Sequence, residues 1–319
     1  MSGATARRVG RQAAEAATGA AWAQWISLGA AVSSNRTPAF RAVVDPEALV
    51  LVSLAMSETE RRLWDILGGW AHEGVHLLSV QRMQTLAPRF PEETRGRLRD
   101  FARLAVEAGD RRWGSLARNA AGASAAPRGK PFGRLRLVPG TALMLRLRAG
   151  LGVGSKADVL TYLLADGGAP RSVKDAVFAT GYTDRAVRTA LEEMARAGFV
   201  AQSAGRPATY AADPVPWSSL LGLAVRGTQE DRTVVAIPRW RAWSSVYAFL
   251  VAASEWAREA EVQAWSEYVA GSRARTLVEQ HAAPLRLAGF GAAVPARTTD
   301  AAWFAALVED LAGWIEAGL

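Results

Sequence analysis

The chain has 319 residues, half of them hydrophobic, with a formal net charge of +8 and a sequence pI near 10.5. That length suits two or three domains with a substantial core, and the absence of cysteine excludes disulfides, thiolate nucleophiles and cysteine-held zinc or iron–sulfur sites. The basic balance favours salt-sensitive attraction to nucleic acid, with solvated helix faces as the competing explanation. It is uneven: residues 81–150 hold fifteen Arg/Lys against five Asp/Glu, and the only lysines are Lys130, Lys156 and Lys174.

Arg7, Arg8 and Arg11 followed by an Ala/Gly-rich stretch imitate a signal peptide, but Glu15, Gln24 and the scarcity of large aliphatics argue against one. No run reaches the ~18 apolar residues that span a bilayer. Residues 1–36 are expected to be a flexible or loosely helical N-terminus in a cytoplasmic protein.

Residues 37–118 read as a helical domain. Asp45-Pro46-Glu47 starts one helix, Ser57 and Glu60 frame a capping box for the next, and Pro91-Glu92-Glu93 opens a third with Leu98, Phe101, Leu104 and Ala105 as its apolar stripe. His72, Glu73 and His76 match the HExxH pattern of zinc hydrolases. Gly68, Gly69 and Gly74 weaken the single helix that pattern needs, so a helix ending near His72 and a new one from Leu77 are expected instead. Residues 119–134 have the composition of a linker, with Arg128 and Lys130 in it. A helix over 141–150 follows, its Arg146 and Arg148 either reaching a DNA backbone or facing solvent. The glycines over 150–154 suit a joint and lack the context of a phosphate loop.

Residues 155–214, within a unit expected over 135–214, carry the densest set of consistent signals. Ser155 with Asp158 is a capping-box-like start, Val159, Tyr162 and Leu163 form a stripe, and the glycines and proline of 166–170 stop the helix. Ser172 and Asp175 start a second helix, and Gly181 suits a left-handed turn residue. Thr183 caps a third helix over 184–197, with Val187, Leu191 and Met194 as one buried stripe. Strand-like runs over 199–202 and 208–211 flank a turn carrying Arg206.

In this order the segment resembles the winged helix-turn-helix of bacterial regulators of the MarR and ArsR type. The matching residues are Gly181, Thr183, Val187, Leu191, Met194, Gly198, Phe199 and Val200, with a wing from Gly205-Arg206-Pro207 to Tyr210. The resemblance covers roughly a fifth to a quarter of the chain. It implies a third helix in the major groove of double-stranded DNA, where Arg185, Arg188 and Thr189 meet base edges or nearby phosphates, and Arg206 anchors the wing.

Beyond the wing, the Pro-rich run at 214–217 is expected to break the pattern. Residues 215–319 then form a C-terminal helical domain with stripes from Trp243 to Trp256 and from Trp303 to Ile315. The expected fold is mainly α, a central winged helix-turn-helix with a small β-wing flanked by two helical regions. The expected function is DNA binding in transcription regulation, without catalysis, cofactor or metal, as a homodimer for which the last helix is a candidate seam. A protein-interaction scaffold is the alternative, marked by a neutral or acidic third helix. A zinc hydrolase through His72, Glu73 and His76 is the remote one.

Overall fold

Small apolar residues recur along α1 (Gly3–Ser27) at Ala6, Val9, Ala13, Ala17, Ala20 and Ala23, and all are buried in the computed structural model. Side chains three and four apart share one helix face, and small ones let a second helix come close. A Cβ placed on Gly10 would lie 2.9 Å from the Cβ of Ala257 on α12 (Trp243–Val262), against which α1 packs along with α14 (Ala302–Glu316). Of the segment 1–36 expected to be flexible or loosely helical, residues 3–27 form a packed 25-residue helix, and residues 32–36 lie outside the described residues. The structure describes residues 3–31, 41–118, 127, 132–226, 233–235, 237–292 and 301–318.

Around this pair sit α2 (Pro46–Met56), α3 (Arg61–Glu73), α4 (Val80–Leu86), α5 (Glu92–Glu107), the short α6 (Gly114–Ala117) and, later in the chain, α13 (Glu267–Leu287). Asp45 caps α2, accepting from the Ala48 N–H at 3.1 Å. The start of α3 differs from expectation: Glu60 is its cap, while Ser57 closes the preceding helix by donating to the Leu54 carbonyl. The competing hydrogen bond wins because the chain has not yet left α2 at Ser57.

One apolar cluster holds residues of α1 to α5 together with α12 to α14. The N-terminal segment, the 37–118 region and the C-terminal helical region, expected as separate units, share this core and form one helical body. Most of the expected linker lies outside the described residues, Arg128 and Lys130 included. Phe132 does not behave as linker: it is fully buried, edge-on to Trp25 at 5.7 Å and to Trp70 at 5.2 Å between ring centroids. Phe304, Leu307, Leu311 and Ile315 of α14 are buried in the body, so that stripe is not free to serve as the expected dimer seam.

A second, smaller cluster is built from α7 (Leu143–Leu151), α8 (Ser155–Ala165), α9 (Val173–Thr180) and α10 (Asp184–Arg196). With them runs a three-stranded antiparallel sheet of β1 (Arg171–Ser172), β2 (Ala201–Gln202) and β3 (Thr209–Ala211), in the order β1-β3-β2. Tyr210 is central, opposite Arg171 on one side and Gln202 on the other. Ser155 is the first helical residue of α8 and not its side-chain cap. The Pro-rich run expected to break the pattern opens α11 (Pro214–Leu220), because Asp213 caps it and Pro214 occupies the first position, where no backbone N–H is needed. A hairpin of β4 (Ala224–Arg226) and β5 (Thr233–Val235) precedes the return to the body. The fold is thus mainly helical with a small three-stranded antiparallel sheet. Among the described residues no helix is long and apolar enough to cross a membrane.

Candidate nucleic-acid interface

Local sequence fixes the turn between α9 and α10. Ser172 and Asp175 form a reciprocal capping box, Ser172 Oγ accepting from the Asp175 N–H at 3.2 Å and Asp175 Oδ2 from the Ser172 N–H at 2.9 Å. Gly181 ends α9 in the left-handed region at φ 74°, which glycine adopts without steric cost. Thr183 caps α10, its Oγ1 accepting from the Ala186 N–H at 3.3 Å.

Helix α10 buries Val187, Ala190, Leu191 and Met194 against α8 and α9. Its opposite face exposes Arg185, Arg188 and Thr189, and Thr183 and Asp184 are exposed at its start. Arg185, Arg188 and Thr189, expected to meet DNA, therefore lie together over the first turns of this helix, and Thr183, expected to fix its N-terminus, is its cap. Arg188 is tethered to Asp184 one turn away, Nη2 to Oδ1 at 3.1 Å, whereas Arg185 has no ion pair among the described residues. Arg206 is exposed in the loop joining β2 and β3, where the Ser203 N–H donates to the Thr209 carbonyl at 2.9 Å. Farther along α10, Glu192 and Arg196 are exposed and Glu193 pairs with Lys156 at 2.6 Å. Across the whole helix three arginines balance three carboxylates.

No protein-family model, curated protein or solved structure matches this chain.

The seam between the two clusters holds a buried ionic cluster. Arg82, Arg148, Glu47 and Asp158 are fully or almost fully buried and Asp45 nearly so. The Arg82 guanidinium forks onto Asp45, Nη1 to Oδ1 and Nη2 to Oδ2 both at 2.6 Å, and Nη1 also reaches Glu47 Oε2 at 2.5 Å. Arg148 forks twice. It meets Asp158 through Nε at 2.7 Å and Nη2 at 2.6 Å, and Glu47 through Nη1 at 2.6 Å and Nη2 at 2.9 Å. Such bidentate pairs are strong and directional. The Tyr182 hydroxyl donates to Asp158 Oδ2 at 3.0 Å and lies 3.2 Å from Ser79 Oγ.

Burial alone would raise the Glu47 carboxyl, but Arg148 and Arg82 outweigh it and hold the group at about 2. Burial opposes the charge on both arginines as well, yet their carboxylate partners raise them above the ordinary guanidinium range. Burial, and then Asp158, push the Tyr182 phenol up, so it stays protonated and able to donate. Arg148 was expected to reach DNA or face solvent. It does neither, since an unpaired charge at that depth would be far costlier than this pairing. The cluster is not legible in the sequence because its members are far apart in the chain. The one local signal is a charge set among apolar neighbours: Glu47 opening an apolar helix, and Arg148 beside Leu143, Met144, Leu145 and Leu147.

Glu73 is the last residue of α3, and the Gly74 N–H closes that helix on the Trp70 carbonyl at 2.9 Å. A Cβ on Gly74 would come within 2.5 Å of the Trp70 ring. A separate 3-10 turn, Val75–Leu77, then carries His76. His72, Glu73 and His76 are exposed and do not share one helix. Among the described residues no group of three or more His, Cys, Asp or Glu is placed to hold a metal ion.

Proposed function

We propose that this chain binds double-stranded DNA through a winged helix-turn-helix and acts in transcription regulation, as the resemblance to MarR- and ArsR-type regulators implies. One observation carries the proposal. The chain runs α8, β1, α9, a left-handed turn, α10 and a hairpin, with strand order β1-β3-β2, and this leaves the N-terminal turns of α10 exposed, with Thr183 as their cap and Arg185, Arg188 and Thr189 on one face. A helix presented by its first turns is the element that enters the major groove in such modules. Arg185 has no ion pair among the described residues and is long enough to fork onto a guanine edge. Arg188 would exchange Asp184 for a base or a phosphate, and Arg206 would meet phosphate from the wing. A cytoplasmic homodimer reading two half-sites belongs to the same proposal.

Fluorescence anisotropy against random-sequence and genomic-fragment duplexes at two salt concentrations, with the Arg185→Ala/Arg188→Ala double variant, tests it. Salt-dependent binding that a folded double variant loses is the expected result. Absence of binding at low salt would overturn the DNA assignment. A protein partner is the second assignment, favoured by the balanced charge of α10. In that case the double variant would lose a protein contact and duplex DNA would leave both chains unchanged.

A further inference from the structure

We propose that Arg82 and Tyr182 are positioning residues through which the helical body fixes the α9–α10 turn, and with it the DNA-facing end of α10. The consequence for binding rests on the DNA assignment above; the mechanical part does not.

Three consecutive residues of the turn meet α4 of the body, and the last of them, Tyr182, also meets Asp158 of α8. Thr180, the last residue of α9, gives its carbonyl to Arg82 Nε at 2.6 Å. Gly181 comes so close to α4 that an added Cβ would lie 3.3 Å from Leu86 Cδ2. The Tyr182 hydroxyl reaches Asp158 at 3.0 Å and Ser79 at 3.2 Å. Ser79, Arg82 and Leu86 are the cap and two positions of α4, three and four residues apart, so they form one helix face. The next residue, Thr183, caps α10. The body thus holds the residues that set where α10 begins and how it is aimed.

The choice of chemistry supports positioning over mere cohesion. Two apolar surfaces at this seam would hold the units together as well, because replacing buried ion pairs by packed hydrophobic groups is often neutral or stabilising. Apolar contacts tolerate sliding. Forked guanidinium–carboxylate pairs and a donated phenol hydroxyl are satisfied in one geometry only. Arg82 also ties the turn to Asp45 and Glu47 at the start of α2, and Arg148 ties Glu47 to Asp158 of α8. The turn, α8 and the body are thereby locked in a single register.

Tyr182→Phe tests this with the ring kept and only the hydroxyl removed, and Ser79→Ala is the second variant. Two readouts are taken on the full chain. One is affinity for the duplex that the wild-type chain selects from a random library, beside affinity for unselected random duplex. The other is amide hydrogen exchange along the chain. Expected are a loss of about tenfold on the selected duplex, the scale of one hydrogen bond, unchanged binding to random duplex, and faster exchange confined to residues 180–186. Unchanged exchange at 180–186 in both variants would overturn the proposal. So would equal losses on both duplexes with protection falling throughout the chain, the signature of a general structural role. If the wild-type chain selects no duplex while exchange still accelerates at 180–186, positioning stands and the DNA assignment falls.

Discussion

Arg148 and Glu47, 101 residues apart in the chain, face each other with two hydrogen bonds of 2.6 and 2.9 Å. Each belongs to a different apolar unit, so this pair and its neighbours are where the body and the smaller unit are joined.

Removing one member leaves the other charges buried and uncompensated. Arg148→Met should therefore cost about 3–5 kcal/mol, read as a drop in the urea midpoint. A loss within the scatter of surface substitutions would show that water or a rearrangement satisfies Glu47 and Asp158.

The same pairing dictates a pH dependence. Glu47 is held below its ordinary value of 4.5, at about 2 in the folded chain. A carboxylate depressed by folding contributes stability that is fully present above its unfolded value and is lost as pH falls through the folded one. Stability should therefore decline between about pH 4.5 and 2 from this group. In Glu47→Gln, unfolding titrations over that window should show a smaller decline from an already lower plateau.

On α10, the Asp184 carboxylate both holds Arg188 and repels phosphate. Asp184→Asn should raise duplex affinity by several-fold, at a cost of about 0.3–1 kcal/mol from weakened interaction with the helix dipole. Arg188→Ala should weaken a selected duplex more than random duplex. Equal weakening on both would assign Arg188 to the phosphates.

Arg206 is exposed in the loop joining β2 and β3 and has no ion pair among the described residues. Arg206→Ala should lower the slope of log affinity against log salt by about one. An unchanged slope would place the loop outside the interface.

Thr183→Ala removes a cap that holds the Ala186 N–H. The expected loss is about 1 kcal/mol of stability together with weaker duplex binding, measured by thermal unfolding and anisotropy on the same preparation.

The features legible in the sequence were those written within a few residues of one another. The Ser172–Asp175 capping box, Gly181, the Thr183 cap and the Val187–Leu191–Met194 stripe are local rules, and the exposed face of α10 follows from its period. What lay beyond reach depended on distant partners. Nothing near Tyr182 marks it as a neighbour of Asp158 and Ser79, and β1 is two residues long, too short to show alternation. Phe132 sits in composition that reads as linker, and only Trp25 and Trp70 make it core. The Ala-rich face of α1 has too little hydrophobic contrast to announce a buried helix, although its spacing is regular.

The partnership of α1 with α12 also bears on how the molecule is made. Gln24 donates to Tyr247, 223 residues downstream, so a ribosome has already delivered every strand of the small sheet before α1 can reach α12. Local contacts close early and distant ones late, and the middle of the chain can assemble while its beginning is still waiting. A face of alanines suits that wait, since each exposes little apolar area to the cell in the meantime. Replacing them with leucines would trade a harmless delay for a sticky nascent chain.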